Sequence, residues 1–283
     1  MAEIGKLAVV GAGQMGGTLV RALLDAGLVE PAGVTATTRH AATTAEAAGR
    51  LGVPVATDNR AAVRGAGVVL LAVKPQALHD VLAEVRDVLE PGQLVVSIVA
   101  SATTGFIEER LDGAQVVVRA MPNTPSLVGA GMTALAGGRH AGPEHLARAQ
   151  ALFAAVGRTL VLDEKHMDAV TALSASGPAF VYVVIESLAE GGVKVGLPRA
   201  TATELAAQAC LGAAKMVLET REHPALLKDA VTTPAGCTID GLLRLEEGGL
   251  RVTLIKAVVE STRRAAELIA PAAPPRPRDP SAG

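Results

Sequence analysis

A doubly wound parallel α/β sheet followed by an all-helical second half is the fold this sequence predicts, on three observations. Short aliphatic runs alternate with amphipathic helical stretches through the first half of the chain. A glycine-rich turn joins the first of these runs to the first helix. After Asp163 the aliphatic runs stop and helix follows helix.

The first run, Lys6-Leu7-Ala8-Val9-Val10, leads into Gly11-Ala12-Gly13-Gln14-Met15-Gly16-Gly17, and residues 18–27 then show helical spacing with a glycine stop. Strand, glycine turn and helix in that order are the context the dinucleotide fingerprint requires. Gly11 serves the turn, Gly13 lets the backbone approach a pyrophosphate, and Gly16 allows the helix to pack closely on the strand. The first half therefore reads as a Rossmann-type nucleotide-binding domain. A second strand at 33–36 ends in Thr37-Thr38-Arg39-His40, with no Asp or Glu placed to grip the ribose 2′-hydroxyl of NAD. A guanidinium forks onto phosphate oxygens and a hydroxyl adds a donor, so this strand end suits a 2′-phosphate. NADPH is the expected cofactor, with NADH as the alternative. The plain reading of Arg39 is a solvated loop charge.

Further strands are expected within 65–73, 93–99 and 115–119, all continuous in Val and Leu rather than alternating with polar residues. Such runs fit strands covered by helices on both faces. The loops at their carboxyl ends, Lys74-Pro75, Val99-Ala100-Ser101 and Met121-Pro122-Asn123-Thr124-Pro125, are where a doubly wound sheet holds its ligand, although each is equally readable as an ordinary turn.

In the second half, helices are expected at 165–173, 178–195, 198–218 and 250–270. Residues 180–188 are apolar nearly all round, which a helix sustains only when other helices surround it. The β-branched Val181, Val183, Val184 and Ile185 also permit a strand, but the neighbouring Ala, Glu and Leu favour helix. A domain this small cannot cover such a helix alone, so an intertwined homodimer is expected. The organisation is thus residues 1–163 as the NADP-binding domain, 164–270 as the helical substrate and dimerisation domain, and 271–283, rich in proline, as a disordered tail.

Within the helical half, Thr232-Thr233-Pro234-Ala235-Gly236-Cys237-Thr238 runs straight into the apolar start Ile239-Asp240-Gly241-Leu242-Leu243. Pro234 fixes one backbone angle, Gly236 permits a tight turn, and the N–H groups of the first helical turn would face a small anion such as a carboxylate. The bland alternative is a plain N-cap made by Thr233 or Thr238.

Composition narrows the class. The chain has 283 residues, enough for one large or two ordinary domains, and 26 basic against 28 acidic residues give a formal net charge of -2. Nothing here marks a nucleic-acid or anionic-membrane partner. With one Tyr, three Phe and no Trp, the core must be packed from Ala, Val, Leu and Ile. Cys210 and Cys237 are too few for a disulfide framework and lack metal-ligand spacing, which suits a reducing cytoplasm. Met1-Ala2-Glu3-Ile4-Gly5 carries an acid and leads at once into the first strand, so no targeting segment is expected and the fold should start at residue 1. The longest uninterrupted apolar runs, such as Ala179-Phe180-Val181-Tyr182-Val183-Val184-Ile185, fall short of the roughly 20 residues of a membrane span, so no membrane partner is expected.

Over residues 5–270 the chain resembles the pyrroline-5-carboxylate reductase family. The motifs in order are Gly11 to Gly16, Ala72-Val73-Lys74-Pro75, Met121 to Pro125, Ser174-Ala175-Ser176-Gly177-Pro178-Ala179-Phe180, Gly191 to Pro198, and the signature-like segment from Val231 to Leu245. Departures are Ala175 and Ala235 where glycine is usual, Ala230 where asparagine is common and Thr233 where serine is common; the extra methyl groups bear on substrate range more than on reaction type. The resemblance implies reduction of the cyclic imine 1-pyrroline-5-carboxylate to L-proline by NADPH. It implies that Gly11, Ala12, Gly13, Gln14 and Met15 hold the pyrophosphate, that Thr37, Thr38 and Arg39 face the 2′-phosphate, and that Asn59 approaches the adenosine ribose. Ala72, Val73, Lys74 and Pro75 with Val99, Ala100 and Ser101 would line the path to the nicotinamide. Thr233, Gly236, Cys237 and Thr238 would bind substrate, with the Thr238 hydroxyl as the catalytic group at the ring nitrogen and backbone amides on the carboxylate. It also implies a homodimer, extending in some assemblies to a larger ring, in which one subunit's cofactor domain is completed by the partner's helical domain.

Hydride transfer to an imine needs little acid–base machinery, in keeping with a sequence that shows no Ser-His-Asp set and no metal cluster. Rival catalytic groups are His166, His223, which precedes Pro224, and Lys194, which invites comparison with the lysine of the β-hydroxyacid dehydrogenases. A lysine at a helix C-terminus has an ordinary electrostatic reason to be there, and the asparagine that comparison requires one turn later is missing: Pro198 and Arg199 follow. A NADPH-binding regulatory scaffold without catalysis is the non-enzymatic alternative.

Overall fold

The computed structural model describes residues 4–269, so the expected tail at 271–283 lies outside the described residues. In chain order the first half comprises β1 (Leu7–Val10), α1 (Gln14–Asp25), β2 (Val34–Thr37), α2 (Thr44–Leu51), β3 (Val55–Ala56), α3 (Asn59–Val63), β4 (Val68–Leu71) and α4 (Pro75–Val85). It continues with β5 (Leu94–Ser97), α5 (Thr104–Arg110), β6 (Val116–Met121), β7 (Gly131–Gly137), α6 (Pro143–Ala154) and β8 (Gly157–Val161). The second half is α7 (Met167–Val170), α8 (Gly177–Lys194), α9 (Arg199–Thr220), α10 (Pro224–Ala230), α11 (Cys237–Glu247) and α12 (Leu250–Ile269).

The strands form one sheet in the order β3-β2-β1-β4-β5-β6-β7-β8. The pairs from β3 to β6 are parallel, so β1, with β2 on one side and β4 on the other, marks the point where the winding reverses. That reversal leaves a crevice at the carboxyl ends of the strands. Side chains alternate between two cores. Leu7, Val9, Val68, Leu70, Leu94 and Val96 pack on one face, and Ala8, Val10, Val69, Leu71 and Val95 on the other. With both faces covered, uninterrupted aliphatic strands are the stable choice.

The far edge departs from the expected parallel sheet. β7 runs antiparallel to β6, and β8 pairs with β7 in parallel. The connection between β6 and β7 is too short for a helical crossover, which needs a dozen or so residues, whereas α6 supplies one between β7 and β8. β3, β7 and β8 carry no continuous Val/Leu run, and the sequence reading had no strand for them. Local signals set several helix ends: Asp58 accepts a hydrogen bond from the Ala61 N–H at 2.9 Å to cap α3, and Thr103 accepts from the Phe106 N–H at 3.1 Å to cap α5.

One polar knot joins distant parts of this half. The Glu164 carboxylate accepts from the Thr104 N–H at 2.8 Å and from the Thr104 hydroxyl at 2.6 Å, and faces the buried Arg119 guanidinium at 3.3 Å. A buried cation thus has its counter-charge, and α5 is tied to the segment where the helical half begins. Beside it the Lys165 N–H, donating to Asp163, holds that carboxyl below the ordinary carboxylate range.

By compactness the chain divides into two units, Ser176–Glu260 forming one and the residues before and after it the other. In the Ser176–Glu260 unit α8 is a helix, which settles the ambiguity at 180–188. The buried centre of the α8–α9 pair is small, made of Ala189, Ala202 and Ala206 with Ile185 and Val193 partly covered. Gly192 keeps the two helices close, since a Cβ there would stand 3.0 Å from that of Ala202. Tyr182, Val183, Leu205, Leu211, Leu243 and Ile255 are all more than half exposed. The apolar stretch is longer than its uninterrupted runs. The helical run Glu164–Lys194 is long and apolar enough to cross a membrane by length and composition, with a mean hydropathy of 1.4 in its most apolar window. Its apolar character continues through Ser174, Ser176, Gly177 and Pro178 because the turns on either side are apolar.

Candidate active site

The glycine turn after β1 is built as the fingerprint requires. Gly11 has φ +104°, and a Cβ on it would lie 2.7 Å from the Ala72 carbonyl oxygen. A Cβ on Gly16 would lie 2.3 Å from the Gly11 carbonyl oxygen and 3.1 Å from the Ala72 Cβ, so α1 sits against its strand only because Gly16 has no side chain. Gly13 differs: a Cβ there meets nothing within 4 Å, so its face of the turn is open. Among the described residues the N–H groups of Gln14 and Met15, in the first turn of α1, have no acceptor. A helix start with free N–H groups and an open backbone face offers donors suited to an anion.

Around this turn lies a cleft of about 610 Å³ lined by Gly11, Ala12, Gly13, Thr38, Arg39, His40, Thr43, Glu46, Ala47, Arg50, Ala72, Val73, Lys74 and Ala77. A second hollow of about 620 Å³ shares Gly11, Thr38, Arg39, Val73, Lys74 and Ala77 with it and adds Thr37, Thr57, Asn59 and Glu84 among others. Both open at the crevice beside β1. The strand ends after β1, β2 and β4 therefore meet where the sequence places them.

Individual residues differ in how free they are. Thr37 is buried, and its hydroxyl accepts from the Gly11 N–H at 3.3 Å while donating to Asn59 Oδ1 at 2.7 Å. Asn59 in turn donates to Glu84 Oε2 at 2.8 Å. Both side chains thus brace the glycine turn against β2 and α4, which leaves Thr38 and the exposed Arg39 as the groups of that strand end with capacity for a ligand. Lys74 is exposed at the start of α4, with Pro75 as its first helical residue. Val99, Ala100 and Ser101 line neither cleft; Val99 is buried, and Ser101 adopts a left-handed φ of +64°. Glu46 and Arg50 of α2, absent from the sequence reading, reach the cleft because helical spacing puts both on the face toward the turn. No local motif marks them.

In the other unit, the turn before α11 has Gly236 as N-cap with no side-chain cap, so neither Thr233 nor Thr238 caps the helix. The Gly236 N–H donates to the Thr233 carbonyl at 3.0 Å, and a Cβ on Gly236 would stand 2.4 Å from the Thr233 hydroxyl oxygen, which is why the turn needs glycine there. Among the described residues the N–H groups of Cys237 and Thr238 have no acceptor and the Thr238 hydroxyl has no partner. Thr238 is half-buried and Cys237 exposed. Ala235 holds φ +56°, a conformation that favours glycine.

The rival groups have other occupations. His223 Nδ1 accepts from the Ala225 N–H at 3.2 Å and so caps α10. His166 is exposed, and Lys194 is the exposed last residue of α8.

Residues 164–268 match the family profile described as pyrroline-5-carboxylate reductase dimerisation, and residues 6–101 match that described as NADP oxidoreductase coenzyme F420-dependent. A pyrroline-5-carboxylate reductase of Methanosarcina acetivorans is 43% identical over 263 residues, covering 93% of this chain and 97% of that protein. The structure of a pyrroline-5-carboxylate reductase from Coxiella burnetii superposes with a TM-score of 0.89 at 36% identity, covering 95% of this chain and 100% of the other. That of a Plasmodium falciparum pyrroline carboxylate reductase with NADP bound gives 0.84 at 29% identity, with 95% and 100% covered.

Proposed function

The chain belongs to the pyrroline-5-carboxylate reductase family, and from that premise we infer that it reduces 1-pyrroline-5-carboxylate to L-proline with NADPH. The observation that carries this reading is the pair of anion-ready helix starts, one at the glycine turn and one at the Thr-rich turn. A dinucleotide and a small carboxylate are the two anions the reaction brings together. NADPH, when bound, supplies the hydride that the imine carbon accepts.

The residues present fit that cofactor. The open face of Gly13 and the free N–H groups of Gln14 and Met15 suit its pyrophosphate, and Gly11 and Ala12 shape the approach. Thr38 and Arg39 hold the 2′-phosphate, with Thr37 and Asn59 fixing the strand end from behind. Ala72, Val73, Lys74 and Pro75 form the wall after β4, and Val99, Ala100 and Ser101 the loop after β5. On the substrate side, the N–H groups of Cys237 and Thr238 take the carboxylate, Gly236 and Thr233 shape the turn, and the Thr238 hydroxyl orients the ring nitrogen. A threonine hydroxyl is too weak an acid to protonate the imine by itself, so its contribution is positioning of a ring that arrives protonated.

The assignment of 1–163 to the cofactor and 164–270 to substrate and dimerisation follows from the same reading. A homodimer accounts for the bare apolar residues of α8, α9, α11 and α12, since a copy of the same helices covers them. A cytoplasmic location accords with Cys210 and Cys237 both being unpaired thiols. The decisive test is oxidation of NADPH by purified protein with racemic pyrroline-5-carboxylate, run beside NADH and a set of hydroxy and keto acids. Imine-dependent oxidation with proline as product is expected; turnover with a hydroxy acid alone would transfer the catalytic role to Lys194.

A further inference from the structure

We propose that Arg50 is a binding residue for the dinucleotide pyrophosphate, holding the Ala12 carbonyl of the glycine turn through one N–H and presenting its remaining N–H groups to the phosphate oxygens in the cleft. The inference rests on the reading of the cleft as the NADPH site. Arg50 stands in the last turn of α2, and its Nη2 donates to the Ala12 carbonyl oxygen at 3.1 Å. Because carbonyl and N–H point opposite ways across a trans peptide, holding the Ala12 oxygen on one side aims the Gly13 N–H to the other. Arg50 therefore sets the orientation of the peptide that the turn offers to a ligand.

Two neighbours are shaped to this reach. The guanidinium passes over Gly17, where a Cβ would stand 2.7 Å from Arg50 Nη1; this explains a glycine that the three-glycine fingerprint does not require. From α1, Arg21 donates to the Arg50 carbonyl oxygen, tying the end of α2 down. A guanidinium carries five N–H donors, of which the Ala12 carbonyl takes one at Nη2, so donors and charge remain for an anion in the cleft that Arg50 lines. The residue lines the cleft together with Gly11, Ala12 and Gly13. Its contact with Ala12, in the pyrophosphate turn, separates its role from that of Arg39, which follows β2 at the 2′-phosphate end.

The test is direct binding of NADPH, NADH, ADP-ribose and adenosine 2′-monophosphate, by calorimetry, to wild type, Arg50→Ala, Arg50→Lys, Gly17→Ala and Arg39→Ala. A charge-assisted contact to a shared phosphate predicts that Arg50→Ala weakens NADPH, NADH and ADP-ribose alike by ~10-fold or more while leaving adenosine 2′-monophosphate unchanged. Arg39→Ala gives the opposite pattern, weakening NADPH and adenosine 2′-monophosphate alone. Arg50→Lys keeps the charge but loses the fork and falls between wild type and Arg50→Ala. Gly17→Ala, which displaces the guanidinium without removing it, weakens the same three ligands, and it stands in for Arg50→Ala if that variant melts early. Unchanged affinities in these variants, or losses confined to ligands with a 2′-phosphate, overturn the assignment. Wild type that binds neither dinucleotide overturns the cleft reading itself, a result distinct from the first two.

Discussion

Two turns in this chain leave the same backbone groups free in different surroundings. Each leads into a helix whose first two N–H groups have no acceptor among the described residues, Gln14 and Met15 in α1, Cys237 and Thr238 in α11. The first is embedded in its own half: Gly11 and Gly16 are pressed between β1 and the β4 loop, and Thr37 and Asn59 brace the turn from β2 and α3. The second has an exposed alanine in a left-handed conformation, and its unit buries three alanines while leaving large aliphatic side chains bare. The glycine turn is thus held by side chains of its own unit, whereas the unit that carries the Thr-rich turn buries little beyond alanine and leaves large aliphatic side chains bare.

The largest effect is expected at the embedded turn. Gly16→Ala places a methyl against the Gly11 carbonyl, a backbone atom that has no room to move, so NADPH affinity should fall by ~100-fold or more with a lower melting temperature. Dinucleotide titration with a thermal melt checks both. At the exposed turn, Thr238→Ala removes one unpartnered hydroxyl and should leave folding and NADPH affinity intact while lowering kcat by ~100-fold, the lower end for a positioned group. An unchanged kcat would remove Thr238 from the mechanism.

Among the bare side chains of α8, Val183 is 61% exposed. Val183→Asp sets a charge where a partner helix is expected, so sedimentation should show a shift from dimer to monomer together with loss of activity, while the cofactor half still binds NADPH. A variant that remains dimeric moves the interface elsewhere. The smallest expected effect lies at Ala235, whose φ of +56° strains an L-residue. Ala235→Gly relieves that strain at the cost of a more flexible unfolded chain, so denaturant unfolding should show a net gain of under about 1 kcal/mol. A clear loss of stability would mean that the Ala235 methyl makes contacts that outweigh its backbone strain.

What the sequence determined by itself was whatever depends on neighbours in the chain. The strands β1, β4, β5 and β6 were legible because burial on both faces demands continuous aliphatic residues. The glycine turn was legible because Gly11, Gly13 and Gly16 act on each other within one strand–turn–helix unit. Helices α8, α9 and α12 were legible from their spacing, and the Thr-rich turn before α11 from its helix start.

Tertiary structure decided what depends on residues far apart. It recruited the short β3 and the alanine-rich β7 into the sheet, since an edge or antiparallel strand needs a hydrogen-bonding partner more than an aliphatic run. It turned the Thr37 hydroxyl inward to Gly11 and Asn59, where the local pattern had it facing a phosphate. It brought Arg50 across from α2 to Ala12 and Glu164 to Thr104 and Arg119. A polar side chain has no periodic signature; its partner is set by which backbone atoms the packed elements leave within hydrogen-bond reach.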